Sequence, residues 1–184
     1  MLFRASNFAK RLVTTQPARC FASGTSFERF NFESPLKLEG LLTDEEIMID
    51  EAAHQFSQEK LMPRVRKAYN EEHFDLDIMK EFGEMGFLGC TIPDYGLPGV
   101  SSTAYGLINR QVERVDSGYR SALSVQSSLV MFPIYTFGNQ ALKDKLIPRL
   151  ATAELIGCFG LTEPDAGSDP AGMLTKVVDK GSHY

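Results

Sequence analysis

The residues best suited to chemistry lie near the C-terminal end of the sequence, in a loop dense in Gly, Pro, Asp and Ser. A short apolar run, 156–161, comes just before this loop and predicts a buried strand. Gly167 tolerates backbone angles that other residues avoid, so neighbouring N–H groups can converge on an anion, and Ser168 adds a hydroxyl donor. Thr162 offers a second hydroxyl to the polar edge of a ring. The pattern predicts a binding loop, although a surface turn has the same composition.

A second group of candidate residues lies near the middle of the chain, where serines occur among apolar residues. Arg120 and Ser124 are four residues apart, so they share one face of a helix predicted over 120–131. A guanidinium group beside hydroxyls is suited to holding a carboxylate at the closed end of an apolar pocket. The alternative is a surface arginine at the start of a helix, followed by capping serines. The serines concerned are Ser121, Ser124, Ser127 and Ser128.

Helices must position both groups, because the sequence before residue 155 is dominated by helical patterns. The run Thr43-Asp44-Glu45-Glu46 is a capping box, and apolar residues at near-helical spacing follow it. Pro63 either ends this helix or opens a new segment, and Pro133 to Gly138 is predicted as a break. The predicted helices are 43–62, 75–85, one from Ser101 or Ser102 to about Gly118, 120–131, and one from Asn139 or Gln140 to Arg149.

Length and composition limit the classes of protein that the chain can represent. The chain has 184 residues, 43% of them apolar, which is enough for one domain or for a domain and part of another. Three cysteines lie far apart and three histidines form no cluster, so no disulfide framework and no metal site are predicted. Charged residues interrupt every apolar window before it reaches the ~20 residues that a membrane span needs.

Residues 1–21 differ from the rest of the chain, because they carry four basic residues and no acidic one. This composition resembles a mitochondrial transit peptide, and Arg19-Cys20-Phe21 resembles a processing site. The alternative is a disordered basic N-terminus that carries no address. Removal of residues 1–21 leaves 15 basic against 24 acidic residues, a net charge of −9. We therefore predict a protein of the mitochondrial matrix with no nucleic-acid partner.

The order of residues in the binding loop carries more information than its composition. The loop reads Gly160-Leu161-Thr162-Glu163, then Ala166-Gly167-Ser168-Asp169, then Gly172. This order resembles the flavin-binding signature of acyl-CoA dehydrogenases, and it is neither a G-x-G-x-x-G nor a Walker loop. Within that family, residues 119–131 and 157–164 are most similar to the glutaryl-CoA dehydrogenases. The resemblance runs from about Phe30 to Tyr184.

The resemblance implies a cofactor, a substrate and an electron acceptor. Glutaryl-CoA dehydrogenases pass a hydride from the acyl chain to FAD and release CO2 to give crotonyl-CoA, and electron-transferring flavoprotein accepts the electrons. Arg120, Ser121 and Ser124 are then expected to hold the distal carboxylate of glutaryl-CoA, and Ser168 is expected to touch the acyl-CoA. The residues expected to contact the flavin or its phosphates are Phe159, Gly160, Leu161, Thr162, Gly167 and Ser168.

The catalytic base of the family is a Glu in a C-terminal helical domain, which is expected only beyond Tyr184. We therefore predict no catalytic base in this chain and no activity for the chain alone, and Glu163 is predicted to have a structural role. The tetramer that is usual in the family depends on the same missing domain.

The fold class predicted is mainly α, with an all-helical N-terminal domain followed by the first strand of a truncated β domain. Two other functions stay open: a dehydrogenase for a monocarboxylic acyl chain, and a non-catalytic helical module that binds partners. The predicted segments are a transit peptide at 1–21, an irregular lead-in at 22–42, the helical domain at 43–155 and the opening of the middle β domain at 156–184.

Overall fold

The structure, a computed structural model, describes residues 29–32 and 34–183. The chain divides into two compact units, residues 1–38 and 39–184. The described part of the smaller unit consists of turns and irregular backbone up to the start of a 3-10 turn, Leu38–Leu41. The predicted transit peptide lies outside the described residues, and it stays a prediction.

Helices form most of the larger unit, which confirms the mainly α fold. Their bounds are α1 Asp44–Phe56, α2 Met62–Asn70, α3 Asp77–Glu84, α4 Ser102–Glu113, α5 Ser117–Ser124, α6 Phe132–Phe137 and α7 Gln140–Ala151. Two π-helical segments, Ser57–Leu61 and Val125–Met131, join α1 to α2 and α5 to α6. A 3-10 turn, Pro170–Gly172, follows in the C-terminal part.

Side chains cap three of these helices where the sequence predicts it. Thr43 and Glu46 form the predicted capping box of α1, with N···O distances of 3.0 and 3.2 Å. The Ser101 hydroxyl accepts a hydrogen bond from the Ala104 N–H at 3.0 Å at the start of α4. Asn139 caps α7 through the Leu142 N–H at 2.9 Å. Each side chain satisfies an N–H that the helix cannot pair internally.

The predicted break at Pro133–Gly138 is wrong, because Phe132–Phe137 is helical. At Pro63 the second of the two predicted alternatives is observed, since the α-helix Met62–Asn70 begins there, although the chain stays helical through the proline. In each case the residue before the proline donates to the carbonyl five residues back: Met62 to Ser57, and Phe132 to Ser127. A proline ring in a regular α-helix clashes with the carbonyl four residues earlier, and the wider π turn makes room for it. Each π-helical segment therefore accommodates the proline that follows it.

The predicted helix end near Gly118 is also wrong. Helix α4 ends at Glu113, and Gly118 lies in the first turn of α5. The Asp116 carboxylate caps α5 by accepting hydrogen bonds from the N–H groups of Gly118 and Tyr119 at 2.8 and 3.1 Å. The N-cap at Asp116, two residues before Gly118, thus sets the start of α5, and the glycine does not mark a helix end.

The helices enclose one apolar core, in which α1 packs against α4 and the rings of three phenylalanines meet. Phe56, Phe82 and Phe87 have ring centroids 5.6–6.4 Å apart. Two consecutive polar residues, Gln126 and Ser127, are buried in the same core. The Ser127 hydroxyl accepts a hydrogen bond at 3.1 Å from the N–H of Gly89, in the loop after α3. The π-helical segment Val125–Met131 is therefore anchored by hydrogen bonds as well as by packing.

The strand predicted at 156–162 does not form, and its apolar side chains are not buried. Ile156, Phe159 and Leu161 are 52%, 47% and 41% exposed. A strand needs the backbone of a neighbour for its hydrogen bonds, and among the described residues the only pairing of this kind is an isolated bridge between Glu163 and Ala166. Within residues 29–32 and 34–183, no helix is long and apolar enough to cross a membrane.

Candidate functional site

The binding loop is held together by Glu163. Its backbone N–H and carbonyl both pair with Ala166 at 3.2 Å, while its carboxylate accepts hydrogen bonds from the N–H groups of Leu174 and Thr175 at 2.6 and 2.9 Å. The hydrogen bonds from Thr175 and then Leu174 hold the pKa of Glu163 below its usual value. With both carboxylate oxygens occupied, Glu163 has the geometry of a structural residue.

The loop residues that the sequence assigns to a flavin are accessible. Phe159, Gly160, Leu161, Thr162, Gly167 and Ser168 are all exposed. Within the described part of the chain, the N–H groups of Gly167 and Ser168 have no protein acceptor, so they are free to donate to an anion together with the Ser168 hydroxyl.

The expectation that position 167 needs a glycine for its backbone angles is wrong. Its φ lies outside the left-handed region, and a Cβ built on it would meet no atom within 4 Å. The fold of this chain thus makes no demand for glycine there, and any need for one has to come from close approach of a ligand.

A buried glutamine, Gln126, holds the start of this loop segment. Its Oε1 accepts a hydrogen bond from the N–H of Gly157 at 2.9 Å, and its Nε2 donates to the carbonyls of Leu150 and Leu155, both at 2.9 Å. Its side chain is 1% exposed. Sequence reasoning missed this role, although a glutamine in the helical stretch 123–131, where serines alternate with apolar residues, was the signal for it.

Gly157 itself lies against Val130, so we expect substitution of this glycine to destabilise the fold. A Cβ at Gly157 would lie 2.4 Å from Val130 Cγ1 and 2.7 Å from Cγ2. Gly157→Ala is therefore expected to lower the free energy of unfolding by about 1–3 kcal/mol through overpacking, as measured by urea denaturation. Adding Val130→Ala removes both clashing methyl groups and should recover part of the loss.

The matched control for this prediction is Gly160→Ala, because nothing lies within 4 Å of a Cβ built at that position. We expect the control to change the free energy of unfolding by less than about 0.5 kcal/mol. Equal effects at the two glycines, or no recovery in the double variant, would contradict the steric explanation.

Arg120 lies on α5 with its guanidinium group between an acidic residue and a serine. Its Nε donates to the Glu113 carboxylate at 2.6 Å, and its Nη1 donates to the Ser124 hydroxyl at 3.2 Å. Hydrogen bonds from Ser117 and then from Arg120 lower the pKa of Glu113. The structure thus joins Arg120 to Ser124, while sequence reasoning missed Glu113. The Arg120 side chain is 36% exposed, so an incoming ligand can reach it.

A wide apolar pocket of about 450 Å³ lies beside this part of α5 and extends to the start of the binding-loop segment. Ser121 lines the pocket, whereas Arg120 and Ser124 do not. The pocket therefore brings one predicted substrate residue together with the segment that leads to the predicted flavin residues. Its lining consists of Phe74, Leu76, Met79, Gly118, Ser121, Ala122, Val125, Gln126, Ile156 and Gly157.

Two cysteines, Cys90 and Cys158, lie among the described residues. Burial raises the pKa of the Cys90 thiol to about 11, so it stays protonated at neutral pH, while Cys158 is exposed just before Phe159. Across the part of the chain that the structure describes, no group of three or more His, Cys, Asp or Glu side chains could hold a metal ion.

Comparison with known proteins gives a consistent family. Residues 43–154 match the family model described as "Acyl-CoA dehydrogenase, N-terminal domain". The chain is 35% identical over 147 residues to glutaryl-CoA dehydrogenase of Desulfococcus multivorans, covering 78% of this chain and 38% of that protein. It is 30% identical over 146 residues to mitochondrial isovaleryl-CoA dehydrogenase of Pongo abelii, covering 78% of this chain and 34% of that protein.

Solved structures show the same similarity. A glutaryl-CoA dehydrogenase from Mycobacterium smegmatis in complex with FADH2 is 43% identical with a TM-score of 0.73, and the match covers 74% of this chain and 36% of that one. A glutaryl-CoA dehydrogenase in complex with glutaryl-CoA is 35% identical with a TM-score of 0.68, covering 72% and 34%. The chain thus spans a little over one third of the length of these relatives.

Proposed function

Because the chain belongs to the acyl-CoA dehydrogenase family, we propose that it supplies the helical domain and the start of the flavin site of an FAD-dependent glutaryl-CoA dehydrogenase. The observation that carries the choice of substrate is the guanidinium group of Arg120, placed beside Ser124 on the same helix as the pocket residue Ser121. The similarity to glutaryl-CoA dehydrogenases supports the same choice.

A dicarboxylic substrate explains this combination of residues. The apolar pocket suits the methylene chain of an acyl group, whereas a distal carboxylate needs a cation and hydroxyl donors at its end. Arg120 would provide the cation and Ser121 a hydroxyl donor. The Ser124 hydroxyl donates to the Ser121 carbonyl at 3.1 Å without a ligand, and it would turn this donor toward the carboxylate when one binds. Glu113 already neutralises part of the Arg120 charge, so the site can stay without a ligand at little electrostatic cost.

FAD is the cofactor that we propose, and the exposed loop fits it. The free N–H groups of Gly167 and Ser168, with the Ser168 hydroxyl, would bind its phosphates, and Thr162 would donate to the polar edge of the ring. Phe159, Gly160 and Leu161 would lie against the ring. When bound, FAD supplies the acceptor for a hydride from the acyl chain.

The remaining groups of the reaction are proposed from the family rather than from this chain. Removal of the Cα proton needs a base, and we propose that it comes from residues outside the 184 present here, because both oxygens of Glu163 are occupied. We propose electron-transferring flavoprotein as the electron acceptor and a homotetramer as the assembly. Residues 43–155 then form the helical domain, and residues 156–184 begin the middle domain.

A substrate comparison tests the proposal on the full-length product of the gene that encodes this chain. The purified protein should carry FAD, reduce electron-transferring flavoprotein with glutaryl-CoA, and release one CO2 for each crotonyl-CoA formed. Isovaleryl-CoA and butyryl-CoA should be poorer substrates by kcat/KM. Faster turnover of a monocarboxylic acyl-CoA would favour the second candidate, which the similarity to isovaleryl-CoA dehydrogenase supports. Absence of flavin would overturn both.

The mitochondrial matrix is the location that we propose, with residues 1–21 removed after import. The acid-free basic N-terminus and the similarity to mitochondrial isovaleryl-CoA dehydrogenases support this location. N-terminal sequencing of the protein from isolated mitochondria is expected to begin just after Phe21. A matrix form that retains Met1, or a protein confined to the cytosol, would contradict this prediction.

A further inference from the structure

We infer that Gln126 is a positioning residue that ties the helix carrying the carboxylate-binding residues to the segment that contacts the flavin. The inference depends on the proposed function, because it concerns how the carboxylate-binding residues and the flavin-binding segment are held at a fixed distance from each other.

One amide group satisfies three backbone groups at the point where the helical domain ends. Gln126 Nε2 donates both of its hydrogens, to the Leu150 carbonyl in the last turn of α7 and to the Leu155 carbonyl after it. Gln126 Oε1 accepts from the Gly157 N–H. Among the described residues, the Leu155 carbonyl and the Gly157 N–H have no other protein partner. Removing the amide therefore leaves both groups unpaired next to the core.

The bond to Gly157 lies close to the predicted flavin residues. Phe159 is two residues further along the chain and Thr162 is five, which corresponds to about 7 and 17 Å of extended backbone. At the other end of the segment, Glu163 holds the N–H groups of Leu174 and Thr175. Residues 158–162 thus lie between two hydrogen-bonded positions. Gln126 holds the first, at Gly157, and Glu163 forms the second.

The same residue is directly linked to the proposed carboxylate site. Gln126 is the second residue of the π-helical segment that continues α5, so it is six residues after Arg120 and two after Ser124. We therefore expect a displacement of α5 along its axis to move the Gln126 amide and, through its hydrogen bond, the Gly157 N–H. The distance between the distal carboxylate site and the ring-contacting segment is therefore set by a short covalent and hydrogen-bonded path.

The neighbouring residue provides a matched control. Ser127 is also buried, but its hydroxyl bonds to the Gly89 N–H and the Phe87 carbonyl in the loop after α3. Ser127→Ala thus removes a buried polar contact from the same π-helical segment without touching Gly157. A purely structural role of Gln126 would make the two substitutions equivalent.

Amide hydrogen exchange on the 184-residue chain is the first test. Gln126→Met keeps the length of the side chain but removes its donors and its acceptor, and Gln126→Glu keeps an acceptor and removes the donors. In Gln126→Met we expect exchange at Gly157 to accelerate about 5- to 150-fold, the range expected for losing a buried hydrogen-bond partner, with little change at Gly89. Gln126→Glu keeps an acceptor for the Gly157 N–H, so it should accelerate exchange at Gly157 much less. Ser127→Ala should accelerate exchange at Gly89 and leave exchange at Gly157 little changed. Unchanged exchange at Gly157 in Gln126→Met, or loss of helical circular dichroism in both Gln126 variants, would overturn the inference.

Flavin binding in the full-length gene product is the second test. We expect Gln126→Met to weaken FAD binding about tenfold or more and to shift the flavin absorption bands, whereas Ser127→Ala should leave the bands unchanged. Faster exchange at Gly157 with unaltered FAD affinity and spectrum would overturn the positioning role and leave the proposed function intact. A wild-type protein without flavin would overturn the proposed function, while the exchange result would still report on the Gln126 anchor.

Discussion

Replacing Arg120 with alanine is expected to lower kcat/KM for glutaryl-CoA about 30-fold or more in the full-length gene product, while a monocarboxylic acyl-CoA of similar length loses far less. The factor corresponds to about 2 kcal/mol, the lower end of the cost of leaving a buried carboxylate without its partner. We choose the lower end because Arg120 is 36% exposed, and water can therefore screen part of the loss.

The selectivity of this loss follows from what the guanidinium group contacts. Arg120 is bonded to Glu113 and Ser124, and neither contact belongs to the apolar part of the pocket. Pentanoyl-CoA has no distal carboxylate, so its binding should depend on the pocket alone. Arg120→Lys should recover only part of the activity with glutaryl-CoA, because an ammonium group cannot reproduce the planar arrangement of donors.

Arg149→Ala is the matched control, since Arg149 is a surface arginine of similar exposure, 42%, and pairs with Glu154 at 2.7 Å. It should affect the two substrates equally and only slightly. The measurement is kcat/KM for glutaryl-CoA and pentanoyl-CoA in the wild type and the three variants. If Arg120→Ala lowers both values by the same factor, Arg120 supports only the fold, and the assignment of a dicarboxylic substrate has to be withdrawn.

Local interactions explain which parts of the fold could be predicted from the sequence. The cap at Thr43 was predicted correctly, and Ser101 and Asn139 are each one of the two residues predicted for the start of their helix, because a cap depends on a side chain and an N–H three residues away. The break at Pro133–Gly138 was predicted wrongly, and of the two alternatives for Pro63 only the opening of a new segment is observed, because proline excludes a regular α turn but not a π turn. Whether the π turn forms depends on packing of the rest of the helix, which local sequence does not report.

The predicted strand at 156–162 shows a different limit. An apolar run identifies residues that are suited to a strand, but a strand exists only when another one pairs with it. Among residues 29–32 and 34–183 the structure contains no such partner for this run. The sequence pattern therefore described the state of this segment in the chain incorrectly.

The sequence proposes residues for the candidate site, which stay predictions, but it does not reveal most of the contacts that these residues make. The order of residues in the loop pointed to a flavin, and the spacing of Arg120 and Ser124 correctly placed them together. Glu113 is separated from Arg120 by the turn between α4 and α5, and Gly157 is 31 residues from Gln126. Contacts of this kind depend on tertiary structure, which residue spacing along one helix cannot reveal.

The 184-residue chain by itself is expected to bind FAD about 100-fold more weakly than the full-length gene product, and to elute from gel filtration without flavin absorbance. The residues that would face the ring are exposed: Phe159 by 47% and Leu161 by 41%. A buried aromatic system removes about 150–250 Å² from water, worth about 4–6 kcal/mol. If the chain covers only one face of the ring, roughly half of this is lost, which corresponds to about a 100-fold change in Kd.

The exposed apolar segment adds a second expectation for the same sample. Ile156, Phe159 and Leu161 have no neighbouring strand among the described residues, so the isolated chain should self-associate at high concentration. Incubation with excess FAD, followed by gel filtration beside the full-length gene product, measures both effects. Stoichiometric flavin on a monodisperse 184-residue chain would contradict the prediction, because residues 1–184 would then bind FAD without the second face of the site that we propose lies elsewhere in the protein.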